Sequence, residues 1–381
     1  MEPNPMQDSH SIAASRRRTL PPVCPAYSLQ PRAYSRRLPA AFTLTELLIV
    51  IAIIAVLAGL IAAAAVNALR AARRNSIVMD IKNLSAAIEN FKTDYGAYPP
   101  NGMNVSPLNP PPAGSPAALI QSDFARMFKK AFPRHKESPE LIRALCGQNI
   151  GAPTGQNLEN GMTAAEALYF WFGGFSSDEQ YPISGPGGPS FATNGPEPGE
   201  VMEDRNIRYE FDRGRLGPRT DDGIFDVASG RFLTFSADLN NNGSFTDPGE
   251  ERQINMWRFM PKGSEQPLLY FDVSRHKPAQ LDPPASSTNA IYALKQLREG
   301  VTSGTTGLAA RQVVFVNPGK FQVLHSGLDD DWGDYTATNI DNVTTTRVED
   351  MLLFPTGPFI GPIADNLSNF TDGTLEDASE E

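Results

Sequence analysis

The sequence predicts an α+β fold: a long N-terminal helix, membrane-spanning in its first half, packed on an antiparallel sheet with helical and loop insertions. Three observations predict it. Residues 47–66 form twenty consecutive positions without a charge, and this run passes directly into a stripe of apolar residues at helical spacing. Beyond residue 206 come short segments rich in aromatic and β-branched residues, separated by turn residues. Between the two lie Pro/Gly clusters such as "SPLNPPPAGSP" and "PISGPGGPSFATNGPEPGE", which read as loops. A helix followed by a run of strands is the α+β order.

The 381 residues suffice for one large domain or two ordinary ones. The formal net charge is −10; residues 1–41 carry six Arg against Glu2 and Asp8, so they are +4 and the rest is −14. A protein that grips a phosphate backbone needs a basic face, so no nucleic-acid partner is expected. Cys24 and Cys146 are the two cysteines. Loss of the first 41 residues would leave Cys146 alone and forbid an intrachain disulfide, so another staple, such as calcium, is expected for the long loops.

Taken in order, the elements begin with Leu47–Val66. At about 1.5 Å per residue it spans roughly 30 Å, the thickness of a bilayer core. That exceeds the apolar core of an ordinary secretory signal. Arg32, Arg36 and Arg37 precede it and Arg70, Arg73 and Arg74 follow it. Arg16–Arg18 tip the positive-inside balance toward a cytoplasmic N-terminus. Downstream, Ile77, Ile81, Leu84, Ile88 and Phe91 step by four, three, four and three, one face of a helix. Gly96 and Pro99-Pro100 stop it. One helix over 42–95 would be roughly 80 Å long, its first half free in membrane or polymer and its second half docked on a globular domain.

Three shorter helices are expected next. "AALIQSDFARMFKKAF" places Ile120, Phe124, Met127, Phe128 and Phe132 on one side. "SPELIRALCG" has Ser138 as N-cap, Pro139 at N1 and Gly147 as stop. "MTAAEALYFWFGGF" gathers Leu168, Phe170, Trp171 and Phe172, read as core or subunit contact. The strand segments are 207–211, 231–237, 254–260, 267–273, 312–316 and 321–326.

Glu46 interrupts the apolar start. A bare carboxylate in lipid costs several kcal/mol unless it is paired or neutralised. Near its own helix N-terminus it favours the helix dipole. "AFTLTELLIVIAIIAVLAG" resembles the N-terminal signature of type IV pilins and type II secretion pseudopilins, and "IENFKTDYGAYP" at 88–99 is similar to the helix end of major pseudopilins. Together they cover about residues 42–100. The resemblance implies a leader over 1–41, cleavage between Ala41 and Phe42 by a prepilin peptidase, and methylation of the new N-terminus. Ala41 stands where the family usually has Gly. Glu46 becomes the fifth mature residue, which in the family pairs with the terminal amine of a neighbouring subunit. The domain plan is then 1–41 leader, 42–66 membrane and filament-core helix, 67–97 amphipathic helix and 98–381 globular domain.

Two acidic loops follow. In "DLNNNGSFTDPGE", Asp238, Asn240 and Asn242 alternate and Gly243 sits where an EF-type loop turns sharply. The closing position, 249, is Gly, with Glu250 one place late and Asp247 as substitute; calcium is the expected ion. "HSGLDDDWGDYT" at 325–336, with "ADNLSNF" at 364–370, resembles the C-terminal calcium loop of major pseudopilins. That likeness implies Asp329 and Asp365 as ligands, with Asp331 and Asp334 added by proximity. His135, His276 and His325 stand in no HExxH pattern, and no GxSxG or P-loop occurs. No enzymatic activity is therefore expected, and His276 reads as a loop residue.

The resemblance implies a subunit that polymerises with itself or with other pseudopilins on an inner-membrane secretion assembly platform. It would drive protein export through a type II secretion-like pseudopilus, its single span in the inner membrane and its C-terminal domain periplasmic or extracytoplasmic. A type IV pilus component for adhesion, motility or DNA uptake is the alternative, as is a membrane-anchored surface protein that never polymerises.

Overall fold

The computed structural model describes residues 42–102, 111–149, 157–194, 204–240, 242–244, 247–275, 291–300, 312–333, 335 and 352–379. The leader with Ala41, and His276 and Asp334, lie outside them. The chain divides into two units at Leu60 and Ile61.

In the first unit, the helix α1 (Leu44–Tyr95) begins, and every side chain from Phe42 to Leu60 is exposed. Leu47, Ile51, Ile54 and Leu57 are among them. Among the described residues α1 is the one helix long and apolar enough to cross a membrane. A continuous apolar surface of this kind marks contact with lipid or protein.

The second unit is α+β. The part of α1 from Ile77 onward buries Ile77, Ile81, Leu84, Ile88 and Phe91, the stripe read from the sequence. Packed with it are α2 (Pro116–Ala131), α3 (Pro139–Leu145) and α4 (Ala164–Phe172). Their starts follow from local chemistry. Ser115 and Ser138 accept the N–H of Ala118 and Leu141, each with Pro at the first helical turn, where its missing N–H costs nothing. Trp171 is at the centre of the aromatic knot, with the rings of Phe91, Phe124 and Phe170 each within 5.6 Å, centroid to centroid.

The exit from α1 is clamped. Gly96 takes a left-handed backbone (φ +66°), which a side chain would disfavour. The carbonyls of Pro99 and Pro100 then accept the Tyr270 hydroxyl (2.7 Å) and the Trp171 indole N–H (2.8 Å). Asn101 bonds the carbonyl of Tyr270 and accepts the N–H of Asp272. Ion pairs add to the docking of α1: Asp80 with Arg215, Asp94 with Arg208 and Arg73 with Asp330.

The strands do not join into one sheet. Among the described residues there are five small sheets, antiparallel except that Leu353–Phe354 runs parallel to Lys295–Leu297. The strands Ser190–Ala192, Glu251–Asn255 and Phe232–Ser236 make one; Leu367–Ser368, Phe321–His325 and Leu269–Asp272 make another. The segment 254–260 is two pieces, Glu251–Asn255 and Arg258–Phe259, and 207–211 is no strand. In the latter, the N–H groups of Arg208 and Tyr209 bond the carbonyl of Phe172, the last residue of α4. Its aromatic residues, Tyr209 and Phe211, meet the Phe259 ring edge-to-face. A second core gathers Leu269, Phe271, Leu294, Phe315, Leu324, Trp332 and Leu375 beside the strands of residues 269–325.

Candidate functional site

The start of α1 is a reciprocal cap. Thr43 N–H donates to Glu46 Oε2 at 2.9 Å, and the Thr43 hydroxyl donates to the same oxygen at 2.9 Å. Glu46 N–H donates back to Thr43 Oγ1 at 3.2 Å. With Leu44 as first helical residue, Glu46 holds the third position, where a Glu satisfies the cap's own N–H. The four residues Thr-Leu-Thr-Glu carry this signal in the sequence, although charge alone drew attention to Glu46. Both bonds to Glu46 end on Oε2. Phe42, immediately before the cap, is exposed.

The first acidic loop closes on itself. Asp238 accepts the N–H of Asn242 (3.0 Å) and Gly243 (2.9 Å). Asn240 and Asn242 both donate their amides to Asp247 Oδ2, at 2.7 and 2.5 Å. Glu250 is buried, and its Oε2 accepts the N–H of Asp247 at 2.9 Å. The five residues read from the sequence are thus linked by one hydrogen-bonded chain of side chains and backbone.

In the second loop the structure brings Asp329 and Asp365 together. Asp365 Oδ2 accepts the N–H of Leu328 at 2.8 Å, and its Oδ1 is buried without a partner. Burial, and then the charge of Asp329, raise the Asp365 pKa. Gly327 is left-handed (φ +79°), and a Cβ there would collide with Asp365 Oδ1, so only glycine fits. Asp329 and Asp331 are exposed and cap turns, accepting the N–H of Asp331 and Gly333. Among the described residues no three Asp, Glu, His or Cys side chains stand close enough together to hold an ion by themselves.

Asp330, absent from the sequence reading, ties this loop to other parts of the second unit. It pairs with Arg73 of α1 at 2.7 Å, accepts the Ser264 hydroxyl, and accepts the Glu265 N–H at 3.1 Å. Burial works against its charge, but these bonds outweigh it and hold its pKa below the ordinary value. Ser264 Oγ also lies 3.0 Å from His325 Nε2. A Ser, a His and an Asp so placed invite comparison with a hydrolytic triad, and the roles run the wrong way. His325 Nδ1 accepts the Gly327 N–H, which leaves the proton of the neutral ring on Nε2. That nitrogen cannot then take the Ser264 proton, which points at Asp330. Burial pushes the His325 pKa down to about 4, so the ring stays neutral. The cluster fastens the second loop to α1.

Compared with known proteins, residues 36–62 match the prokaryotic N-terminal methylation motif, the prepilin signature of type IV pilins and pseudopilins. No curated protein and no solved structure matches the chain.

Proposed function

We propose that the chain is the precursor of a prepilin-type subunit, cut between Ala41 and Phe42, that polymerises into a type II secretion-like pseudopilus and drives protein export. The observation that carries this reading is the methylation motif over 36–62, coinciding with an exposed apolar helix whose third residue is a capped glutamate. Cleavage creates an α-amine on Phe42. Glu46 keeps its cap, because the Thr43 N–H is an amide before and after the cut. Its other oxygen, Oε1, is then open to the amine of an incoming subunit. In lipid each charge alone is costly, so pairing fixes the register of addition. The prepilin peptidase and an inner-membrane assembly platform are the partners, the domain from residue 67 onward is periplasmic, and the work is mechanical rather than catalytic.

Calcium belongs to this reading at the second loop. Asp329 and Asp365 would hold it, joined by Asp331 and Asp334. The supporting observation is the partnerless buried oxygen of Asp365, beside a second carboxylate. Bound calcium supplies positive charge and no chemistry.

Two measurements test the reading. N-terminal sequencing of the mature protein should begin Phe-Thr-Leu-Thr-Glu; a chain starting at Met1, or after Ala65, sinks it. Cross-linking of cell envelopes should give a ladder of self-assembled species. Absence of a ladder points instead to an anchored protein that never polymerises, and surface-exposed fibres to a type IV pilus.

A further inference from the structure

We propose that the loop at 238–250 is a calcium site in its own right, built from Asp238, Asn240, Asn242, Asp247 and Glu250 and separate from the second acidic loop. The loop leaves and rejoins one hairpin. The strands Phe232–Ser236 and Glu251–Asn255 pair antiparallel up to Ser236 and Glu251, and Ala237 N–H extends the ladder to the Glu250 carbonyl at 2.9 Å. Its ends are fixed by the core, where Leu233, Phe235 and Ile254 are buried.

Hydrogen bonds inside the loop describe only a self-closed turn. Glu250 points to something more. It is 2 % exposed, and while Oε2 takes the Asp247 N–H, Oε1 is buried and has no partner. That bond is to the backbone of Asp247, whose side chain takes the amides of Asn240 and Asn242. Among the described residues no Lys, Arg or His forms an ion pair with Glu250. A buried carboxylate oxygen without a donor is costly, and a cation is the species that satisfies it.

The donor set identifies the cation. Every side chain offered carries an oxygen: Asp238, Asp247 and Glu250 their carboxylates, and Asn240 and Asn242 their Oδ1 atoms, which accept the N–H of Asn242 at 3.0 Å and Ser244 at 2.7 Å and keep a second lone pair. The loop contains no His or Cys, which excludes the usual zinc and copper chemistry. Three carboxylates and two amides on a long, Gly-containing loop suit the large, flexible coordination of calcium better than the tight octahedron of magnesium.

The test uses the full chain in detergent micelles, stripped with chelator and carrying Asp329→Asn and Asp365→Asn to silence the second loop. Calorimetric titration with calcium should give one binding event and a higher Tm. Tyr181, whose hydroxyl lies 3.4 Å from the Asp238 carbonyl, should sensitise terbium luminescence at the site. Glu250→Gln keeps the bond to Asp247 N–H and should weaken calcium binding by at least about tenfold. Asn240→Ala, at the exposed rim, should weaken it without touching the fold. No heat and no Tm shift in the silenced chain overturns the proposal. So does binding that persists undiminished in both Glu250→Gln and Asn240→Ala.

Discussion

Among the described residues a reciprocal Thr-x-x-Glu cap opens one helix in each unit, and these two differ in one respect; a Thr-x-x-Asp version, Thr374 with Asp377, opens Leu375–Ser379. Thr43 and Glu46 open α1; Thr163 and Glu166 open α4. Each Glu accepts the N–H of its Thr at 2.9 Å, and each returns its own N–H to the Thr hydroxyl, at 3.2 and 3.3 Å. The Glu166 side chain is wholly buried, and Arg231 reaches the same oxygen at 2.8 Å while its other nitrogen bonds the Gly161 carbonyl. The Glu46 side chain is exposed, and among the described residues no cation pairs with it. Capping therefore explains why a Glu stands in the third helical position, and it does not neutralise the charge. The buried copy shows what a low-dielectric setting demands in addition: a cation on the carboxylate. On the proposed function, the α-amine of a neighbour's Phe42 is to Glu46 what Arg231 is to Glu166.

The largest expected effect follows from separating cap from charge. Glu46→Gln keeps an acceptor for the Thr43 N–H and removes the charge; Glu46→Ala removes both. Both variants should reach the membrane at least as well as the native chain, since an apolar helix start is easier to insert. If the charge sets register, both lose the cross-linked ladder. A ladder of native yield from Glu46→Gln would mean that the cap is the whole function of Glu46 and that the parallel with Glu166 ends there.

In the buried copy the cation can be removed directly. Arg231→Ala leaves the Glu166 carboxylate buried beside Thr163 alone, and breaking a pair of this kind typically costs about 3–5 kcal/mol. Because Arg231 is partly exposed, the lower end is expected, read as a fall in stability by denaturant unfolding of the full chain in micelles. Arg231→Ala with Glu166→Gln should recover much of the loss. A double variant as unstable as the single one would show that Arg231 matters for its carbonyl bonds and not for the charge.

Asp272 sharpens the point, because it is buried with a nearby cation that is insufficient. Arg275 Nε lies 3.3 Å from it, yet burial dominates and pushes its pKa up to about 6. A carboxyl whose folded pKa exceeds its unfolded value favours the fold most at low pH. Its contribution is full below about pH 4 and is lost as pH rises through about 6. Asp272→Asn should flatten the stability profile over that window, measured as Tm against pH. An unchanged slope would show that Arg275 already neutralises Asp272.

Much of this was legible in the sequence, and the misses share a cause. The stripe from Ile77 to Phe91, the Ser138 cap and the apolar side of α2 are local patterns, and each is where its spacing put it. Residues 207–211 have the composition of a strand, but composition does not say where backbone hydrogen bonds go, and here they go to the end of α4. Asp330 is the middle one of three consecutive aspartates, and nothing local singles it out. Its importance comes from Arg73, 257 positions away, which no local pattern encodes. Arg231 is hidden in the same way, 65 positions from Glu166, whereas the Thr-x-x-Glu pattern of both caps is visible to anyone counting from a helix start.

The smallest expected effects concern the threonines. Thr163→Ala removes one acceptor from a buried helix start and should cost about 1 kcal/mol of domain stability. Thr43→Ala removes the acceptor for the Glu46 N–H but leaves the residue-43 N–H free to hold Glu46 Oε2. Half of the cap survives, and because the residue stands in the first unit, the melting of the globular domain should not change. The effect should appear instead as faster hydrogen exchange at the Glu46 amide in micelles, and as a ladder reduced but present. Thr43→Ser, which keeps the hydroxyl, should exchange and assemble like the native chain. If Thr43→Ala abolishes the ladder as completely as Glu46→Gln, the orientation of the carboxylate matters as much as its charge, and the cap is part of the assembly device. If exchange quickens and the ladder is untouched, the charge of Glu46 acts without its cap. The likeness between the two helix starts is then a shared way of beginning a helix, put in the first unit to a second use.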